Sequence, residues 1–184
     1  MKRNRTRKYI TELEFNKLIK NIENPFRNSP KLITRKKAIL CLLFYHALRR
    51  AELCSLKWSC VDLEDKTIQV FRNKGGKFSV HPIYDLEYSI LKELKESSDS
   101  KYVICSPTKE RLSNEAIDKF FYRINSKKII DFQVHAHSLR HGCGFYLANK
   151  GVDTRSIQVY LGHTDIRYTE MYTEIAPCRF KNFF

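Results

Sequence analysis

The longest apolar run of the chain, Ala38 to Leu48, sets the first constraint on the fold. It is too short to span a bilayer and contains His46, so it predicts no transmembrane helix. It must be buried within the protein, and 184 residues suffice for one domain with a proper core. Hydrophobic residues at 42% and aromatics at 12% exclude general disorder and low-complexity architecture. The opening residues, MKRNRTRKY, have no apolar segment behind them, which gives the expectation of no secretory signal.

Around that run the sequence reads as a succession of helices broken by one change of period. Thr11 opens a capping box with Glu14, and Ile10 and Phe15 sit where a hydrophobic staple would. That helix runs to about Ile22, with Leu18, Ile19 and Ile22 inward. After a loop bracketed by Pro25 and Pro30, helices are predicted over roughly 34–48 and 50–56. Asp62 to Lys66 reads as a turn. Thr67 to Phe71 then alternates as a strand, Phe78 to Ile83 does so more weakly, and Gly75-Gly76 between them predicts a hairpin. Helices follow over about 86–96 and from a cap at Ser113, carrying Ile117, Phe120, Phe121 and Ile124. Farther on, Ser138 reads as an N-cap and Gly151 as the C′ residue of a helix with Leu139, Cys143, Tyr146 and Leu147 inward. A last short helix starts at Asp153 or Thr154 and stops at Gly162. The expectation is a mainly α domain with a small antiparallel β element.

Charge speaks to partners. Lys and Arg number 34 against 20 Asp and Glu, a net charge of +14. Such a surplus favours polyanions, and the ordinary core-facing amphipathic stretches make nucleic acid a better partner than a membrane surface. Residues 2 to 8 hold Lys2, Arg3, Arg5, Arg7 and Lys8, which read either as a solvated tail or as an arm neutralising phosphates. The six cysteines form no CxxC pair and no zinc-finger spacing, and read as reduced, mostly buried thiols.

Single residues prove little. Arg49 can be a helix-end arginine paired with Glu52, and Lys74 or its competitor Lys77 a solvated lysine on a glycine turn. With Ser138 as N-cap, Arg140 falls in the first turn and His137 just before it, an anion-seeking helix end with a planar guanidinium fork. His135, His137, His141 and Cys143 could instead bind metal, but a helix does not easily converge on those positions. His163 follows a glycine stop, and Tyr172 comes nine residues later. Together, two arginines, two histidines, a lysine and a tyrosine suggest a metal-free phosphate cage around a hydroxyl nucleophile.

Their order and spacing resemble the tyrosine recombinase (phage integrase) family. LRRAEL with Arg49, a hairpin lysine at Lys74, HSLRH with His137 and Arg140, LGH with His163, then Tyr172 carry the likeness. Within that family the run from His137 to Thr173 is most similar to short fimbrial phase-variation recombinases, fimbrial-type DNA invertases. The resemblance implies the catalytic-domain fold over residues 9–184, with residues 1–8 as a basic arm and no separate core-binding domain. It implies Tyr172, Arg49, Lys74, His137, Arg140 and His163 as the catalytic set, without a cofactor. Tyr172 would attack a DNA phosphodiester to form a 3′-phosphotyrosine and a free 5′-hydroxyl. His137 would accept its proton or position it, and the arginines and His163 would hold the phosphate. Lys74 would protonate the leaving oxygen, and Glu52 would buttress Arg49. Lys2, Arg3, Arg5, Arg7, Lys8 and Lys77 would bind DNA.

The implied partners are double-stranded DNA with inverted repeats, three further copies of the chain in a homotetramer on that DNA, and accessory DNA-bending proteins. The implied place is the cytoplasm, at the nucleoid, and the implied role is inverting a promoter segment. A non-catalytic DNA-binding regulator and a type IB topoisomerase-like enzyme are the alternatives. The sequence departs from the family at the first arginine box, where Ala47-Leu48 and Arg50-Ala51 flank Arg49 in place of the usual glycine before and serine after. Twelve residues follow Tyr172, ending in Phe180, Phe183 and Phe184, where relatives carry a longer basic tail.

Overall fold

A computed structural model describes residues 7–23, 30–72 and 77–174. Among them the chain forms α1 (Glu12–Asn21), α2 (Pro30–Tyr45), α3 (Arg50–Ser55), β1 (Val61–Asp62), β2 (Thr67–Arg72) and β3 (Lys77–Pro82). It continues with α4 (Asp85–Glu96), α5 (Asn114–Ser126), α6 (Ala136–Asn149), α7 (Thr154–Leu161) and α8 (Arg167–Glu174). The strands form one antiparallel sheet in the order β1-β2-β3, with Thr67 opposite Pro82 and Arg72 opposite Lys77. The mainly helical architecture with a small antiparallel sheet is the one that the hydrophobic periods predict. No helix among the described residues is long and apolar enough to cross a membrane.

The apolar run becomes the centre of the core. Every residue from Ala38 to Phe44 is buried, and α2 packs against both α4 and α6. A helix apolar on all sides has to be surrounded, and here it is. Phe15 of α1 stacks on Phe44 with ring centroids 4.1 Å apart, and the capping box of Thr11 and Glu14 starts α1 as expected. A second, smaller cluster lies where α6, α7 and α8 meet, and comprises Ala47, Cys143, Phe145, Ala148, Ile157, Leu161 and Tyr172.

Three boundaries and two elements differ from expectation. Helix α2 starts at Pro30, because a proline's fixed φ suits the first helical position. It ends at Tyr45 because Ala47 takes a left-handed backbone, φ 50°, which an α-helix cannot contain. Helix α6 is capped by His135 and not by Ser138. The Ser138 amide donates to His135 Nδ1 at 3.1 Å while Ser138 Oγ accepts from the His135 amide at 3.0 Å. His137 and Arg140 therefore lie inside the helix, one turn deeper than predicted. Finally, Val61–Asp62 adds a third strand, and the tyrosine segment, unassigned from sequence, coils as α8. Gly151 (φ 82°) and Gly162 (φ 66°) end their helices left-handed, as read from sequence.

Beneath the Ala47 turn lies a buried polar chain. His46 Nε2 bonds Glu87 Oε2 at 2.9 Å, with both side chains fully inaccessible. His46 Nδ1 lies 3.3 Å from His81 Nδ1, and His81 Nε2 meets Ser79 Oγ at 2.8 Å. Burial holds the His81 imidazole far below its ordinary pKa, at about 2, so it stays neutral. These bonds tie α2 to β3 and α4. Glu87→Leu, close in volume, strands the His46 ring without its partner. It should lower unfolding free energy by about 1–3 kcal/mol, read from urea unfolding of the two proteins.

Candidate active site

The junction between α2 and α3 organises three arginines. Arg49 caps α3 in an extended conformation. Its amide donates to Glu52 Oε2 and its Nη1 to Glu52 Oε1, each at 2.8 Å, and its Nη2 reaches the Gly162 carbonyl at 3.4 Å. Arg72, at the end of β2, donates through Nη1 to Glu52 Oε2, the oxygen that also accepts from the Arg49 amide, at 3.0 Å. Its guanidinium also donates to the carbonyls of Ala47, His46 and Tyr160. Arg140 donates to the carbonyls of Ala47 and Leu161. The Ala47 carbonyl, turned by its left-handed backbone, thus accepts from both buried arginines.

Two guanidiniums, of Arg49 and Arg72, therefore share one carboxylate, and Arg140 joins them through the Ala47 carbonyl. Glu52 is held ionised: burial works against its charge, but the Arg49 amide bond and the Arg72 and Arg49 charges outweigh it and lower its pKa. Arg140 is pushed down to about 10, first by burial and then by Arg72 and Arg49. It still carries its charge at neutral pH. The surplus positive charge is set in place before any anion arrives, which suits a phosphate with its spread of oxygens. Arg49, His135, His137 and Arg140 line a cleft of about 330 Å³, with the Arg50–Asp118 pair at its edge. A broader basic groove, bordered by Arg7, Lys8, Lys17, Phe132 and Gln133, runs past His137 between α1 and the α5–α6 connection.

Tyr172 sits behind this cleft and only 1% of it is exposed. Its ring packs on Gly144, where an added Cβ would fall 2.8 Å from ring carbons, and edge-on to Phe145. Its hydroxyl meets His141 Nδ1 at 2.7 Å. Burial raises its pKa to about 12, though Arg140 pulls the other way. His163 stacks nearly parallel to the Tyr172 ring at 6.1 Å and bonds Thr169 Oγ1 at 2.9 Å. His137 faces the cleft, and its ring lies edge-on to His141 with centroids 4.2 Å apart. Burial, then Arg140, lowers the His137 pKa.

Of the residues predicted from sequence, Arg49, His137, Arg140, His163 and Tyr172 come together. Lys74 lies outside the described residues, as do Lys2, Arg3 and Arg5; Lys77 opens β3, with its side chain outside them. Lys8 is exposed. Arg7 is not a free arm residue: it pairs with Glu14 at 2.6 Å and lies over Phe132. The four metal candidates do not converge, since His135 caps α6, His141 holds Tyr172 and the Cys143 thiol meets the Tyr45 carbonyl.

Two residues were missing from the predicted site: Arg72 was not singled out, and His141 only as one of four metal candidates. Arg72 shares the inward face of β2 with Ile68 and Val70, so a charge at a core-facing strand position was the available signal. His141 lies four residues after His137, on the same helical face.

Glu52→Ala leaves Arg72 as an uncompensated buried charge. It should lower unfolding free energy by about 3–5 kcal/mol, read by denaturant titration. The histidines give a pH dependence. Burial first, then neighbouring cations, holds His141 and His163 at about 4, below their ordinary 6.5. The unfolded chain binds more protons between those values, so this stability is full above pH 6.5 and lost as pH falls through about 4. Urea midpoints across that interval should fall with acidification, and less steeply in His163→Gln.

The comparisons with known proteins agree with this arrangement. Residues 8–179 match the model of the phage integrase family. The type 1 fimbriae regulatory protein FimB of Escherichia coli strain K12 is 34% identical over 183 residues, covering 96% of this chain and 89% of FimB. FimE of the same strain is 33% identical over 153 residues, covering 79% of this chain and 77% of FimE. The crystal structure of XerA recombinase aligns with a TM-score of 0.78 at 29% identity, covering 92% of this chain and 61% of XerA. This chain thus spans about three fifths of that solved protein. XerH site-specific recombinase bound to difH substrate shares the fold, with a TM-score of 0.75 at 23% identity, covering 94% of this chain and 52% of XerH. The match over residues 8–179, the likeness to FimB and the fold shared with XerA recombinase place the chain in the phage integrase family, the tyrosine recombinases, whose members are site-specific recombinases.

Proposed function

We propose that this protein cuts and rejoins DNA at specific sites through a 3′-phosphotyrosine at Tyr172, inverting a promoter segment that controls phase-variable surface expression. The observation that carries the chemistry is the arginine cluster: Arg49 and Arg72 share the Glu52 carboxylate, Arg72 and Arg140 share the Ala47 carbonyl, and Arg49 and Arg140 line a cleft. Arg49 and Arg140 hold the non-bridging oxygens of the scissile phosphate and neutralise the charge that builds on them. Removing one such donor elsewhere costs about 10²–10³ in rate. His137 and His163 add hydrogen bonds at the phosphate. Arg72 positions the other two arginines through Glu52 and the Ala47 carbonyl. Lys74 protonates the departing 5′-oxygen, and the hydroxyl of a partner strand later reverses the attack, so no cofactor is consumed.

The +14 charge and the groove along Lys8 and Lys17 support duplex DNA as the partner. The arm residues Lys2, Arg3, Arg5 and Lys8, with Lys77, add phosphate contacts. Residues 1–8 serve as that arm and 9–184 as the catalytic domain. Four chains assemble on paired inverted repeats, with DNA-bending proteins assisting, in the cytoplasm at the nucleoid. Likeness to FimB and FimE, both fimbriae regulatory proteins, supports the promoter role.

Covalent capture tests this reading. Protein and its host's genomic DNA are incubated, denatured, and the DNA still attached is sequenced. Attachment should map to a pair of inverted repeats and vanish in Tyr172→Phe. Attachment scattered over the genome would indicate topoisomerase-like action. Salt-sensitive binding with no attachment would indicate a non-catalytic regulator.

A further inference from the structure

The nucleophile's proton has one evident destination, and it is not the histidine that faces the phosphate cleft. The Tyr172 hydroxyl lies 2.7 Å from His141 Nδ1, whereas His137 lines the cleft and touches His141 only through its ring. The two histidines share one face of α6, one turn apart, so they form a row from cleft to nucleophile: phosphate site, His137, His141, Tyr172. We propose that His141 is a catalytic residue of this enzyme, the group that orients the Tyr172 hydroxyl and accepts its proton during attack. The inference rests on the recombinase reading above.

The chemistry follows from the contact. A phenol with an ordinary pKa near 10 attacks poorly at neutral pH unless a base takes its proton. Here burial raises the phenol further, to about 12, and holds His141 neutral. A neutral imidazole has one nitrogen lone pair, and accepting the phenol's proton requires it at Nδ1, with the ring proton on Nε2. In the cleavage step the Tyr172 Oη–phosphorus bond forms as the phosphorus–O5′ bond breaks. The phenolic proton passes to His141 Nδ1, and the 5′-oxygen leaves with a proton from the lysine acid. On rejoining, the 5′-hydroxyl gives its proton back to the lysine as its oxygen attacks the phosphotyrosine, the Oη–phosphorus bond breaks, and His141 returns its proton to Oη. His137 is left free to donate to a phosphate oxygen. Fixing the ring needs close packing, which the bare Cα of Gly144 permits.

The test compares wild type, His141→Asn and His141→Phe on a nicked duplex carrying the site recovered by covalent capture. Each is also measured on the same duplex with a 5′-bridging phosphorothiolate, whose sulfur leaves without a proton. Asn can accept the phenol's hydrogen bond at the Nδ1 position but cannot take the proton; Phe can do neither. Both variants should form the tyrosine adduct about 10²–10⁴ times more slowly, on both substrates, while binding the duplex as wild type does. Adduct formation at the wild-type rate or faster would overturn the inference, a faster rate meaning that His141 merely stores the nucleophile. So would a defect that disappears on the phosphorothiolate, because His141 would then serve the leaving group. Wild type forming no adduct on either substrate overturns the recombinase reading and this inference with it; wild-type adduct with unimpaired variants overturns the inference alone. A measurement on the unmutated site needs no variant fold: ¹⁵N NMR at neutral pH should show His141 protonated at Nε2, and an Nδ1-protonated ring would overturn the proposal.

Discussion

Glu52 is the point on which the site turns. Its Oε2 accepts from both the Arg49 amide and the Arg72 guanidinium, and its Oε1 accepts from the Arg49 guanidinium. That single charge fixes the start of α3, the end of β2 and the position of a half-exposed arginine at the cleft. A buried ion pair of this kind adds little net stability, because desolvating the charges offsets their attraction. What it supplies is geometry. Two backbone carbonyls beside it, of His46 and Ala47, complete the seating of Arg72, and the Ala47 carbonyl also receives Arg140. Ala47 reaches that orientation only in the left-handed region, where a side chain costs about 1–2 kcal/mol. The family resemblance places glycine there, and the strain shows why.

The support continues downward. The Glu87–His46–His81–Ser79 chain holds the residue preceding Ala47 from below, and His81 stacks on Tyr160 with ring centroids 3.7 Å apart. Tyr160 in turn receives Arg72 through its carbonyl and donates its hydroxyl to the Tyr45 carbonyl at 2.9 Å. Gly162 then lets α7 turn back against Arg72, since an added Cβ would fall 2.5 Å from the Arg72 side chain. Sheet, α2 and α7 thus converge on the same few atoms. In a pocket so closely packed, anion-binding groups stay oriented without reorganising when charge develops.

The tyrosine obeys a different logic. Tyr172 belongs to the small apolar cluster of α6, α7 and α8, which excludes water from its hydroxyl and raises its pKa. Apolar burial and the phosphate site meet along α6, whose residues Arg140 and His141 face the two environments in turn.

Much of this was legible in the residues. Hydrophobic periods gave the helices and the hairpin, the Thr11–Glu14 box gave the first helix start, and Gly151 and Gly162 marked helix ends. Spacing brought Arg49, His137, Arg140, His163 and Tyr172 into one reading. These features are local: period, cap chemistry and glycine conformations are settled within a few residues. What the sequence could not decide depends on contacts between distant segments. Arg72 became part of the site because β2 delivers it to Glu52, twenty residues away. His141 took the tyrosine's hydroxyl because α8 folds back onto α6. The sequence by itself determined which side chains could do phosphate chemistry; only the tertiary structure decided which histidine the Tyr172 hydroxyl touches, because hydrogen-bond partners separated by 31 residues are chosen by packing.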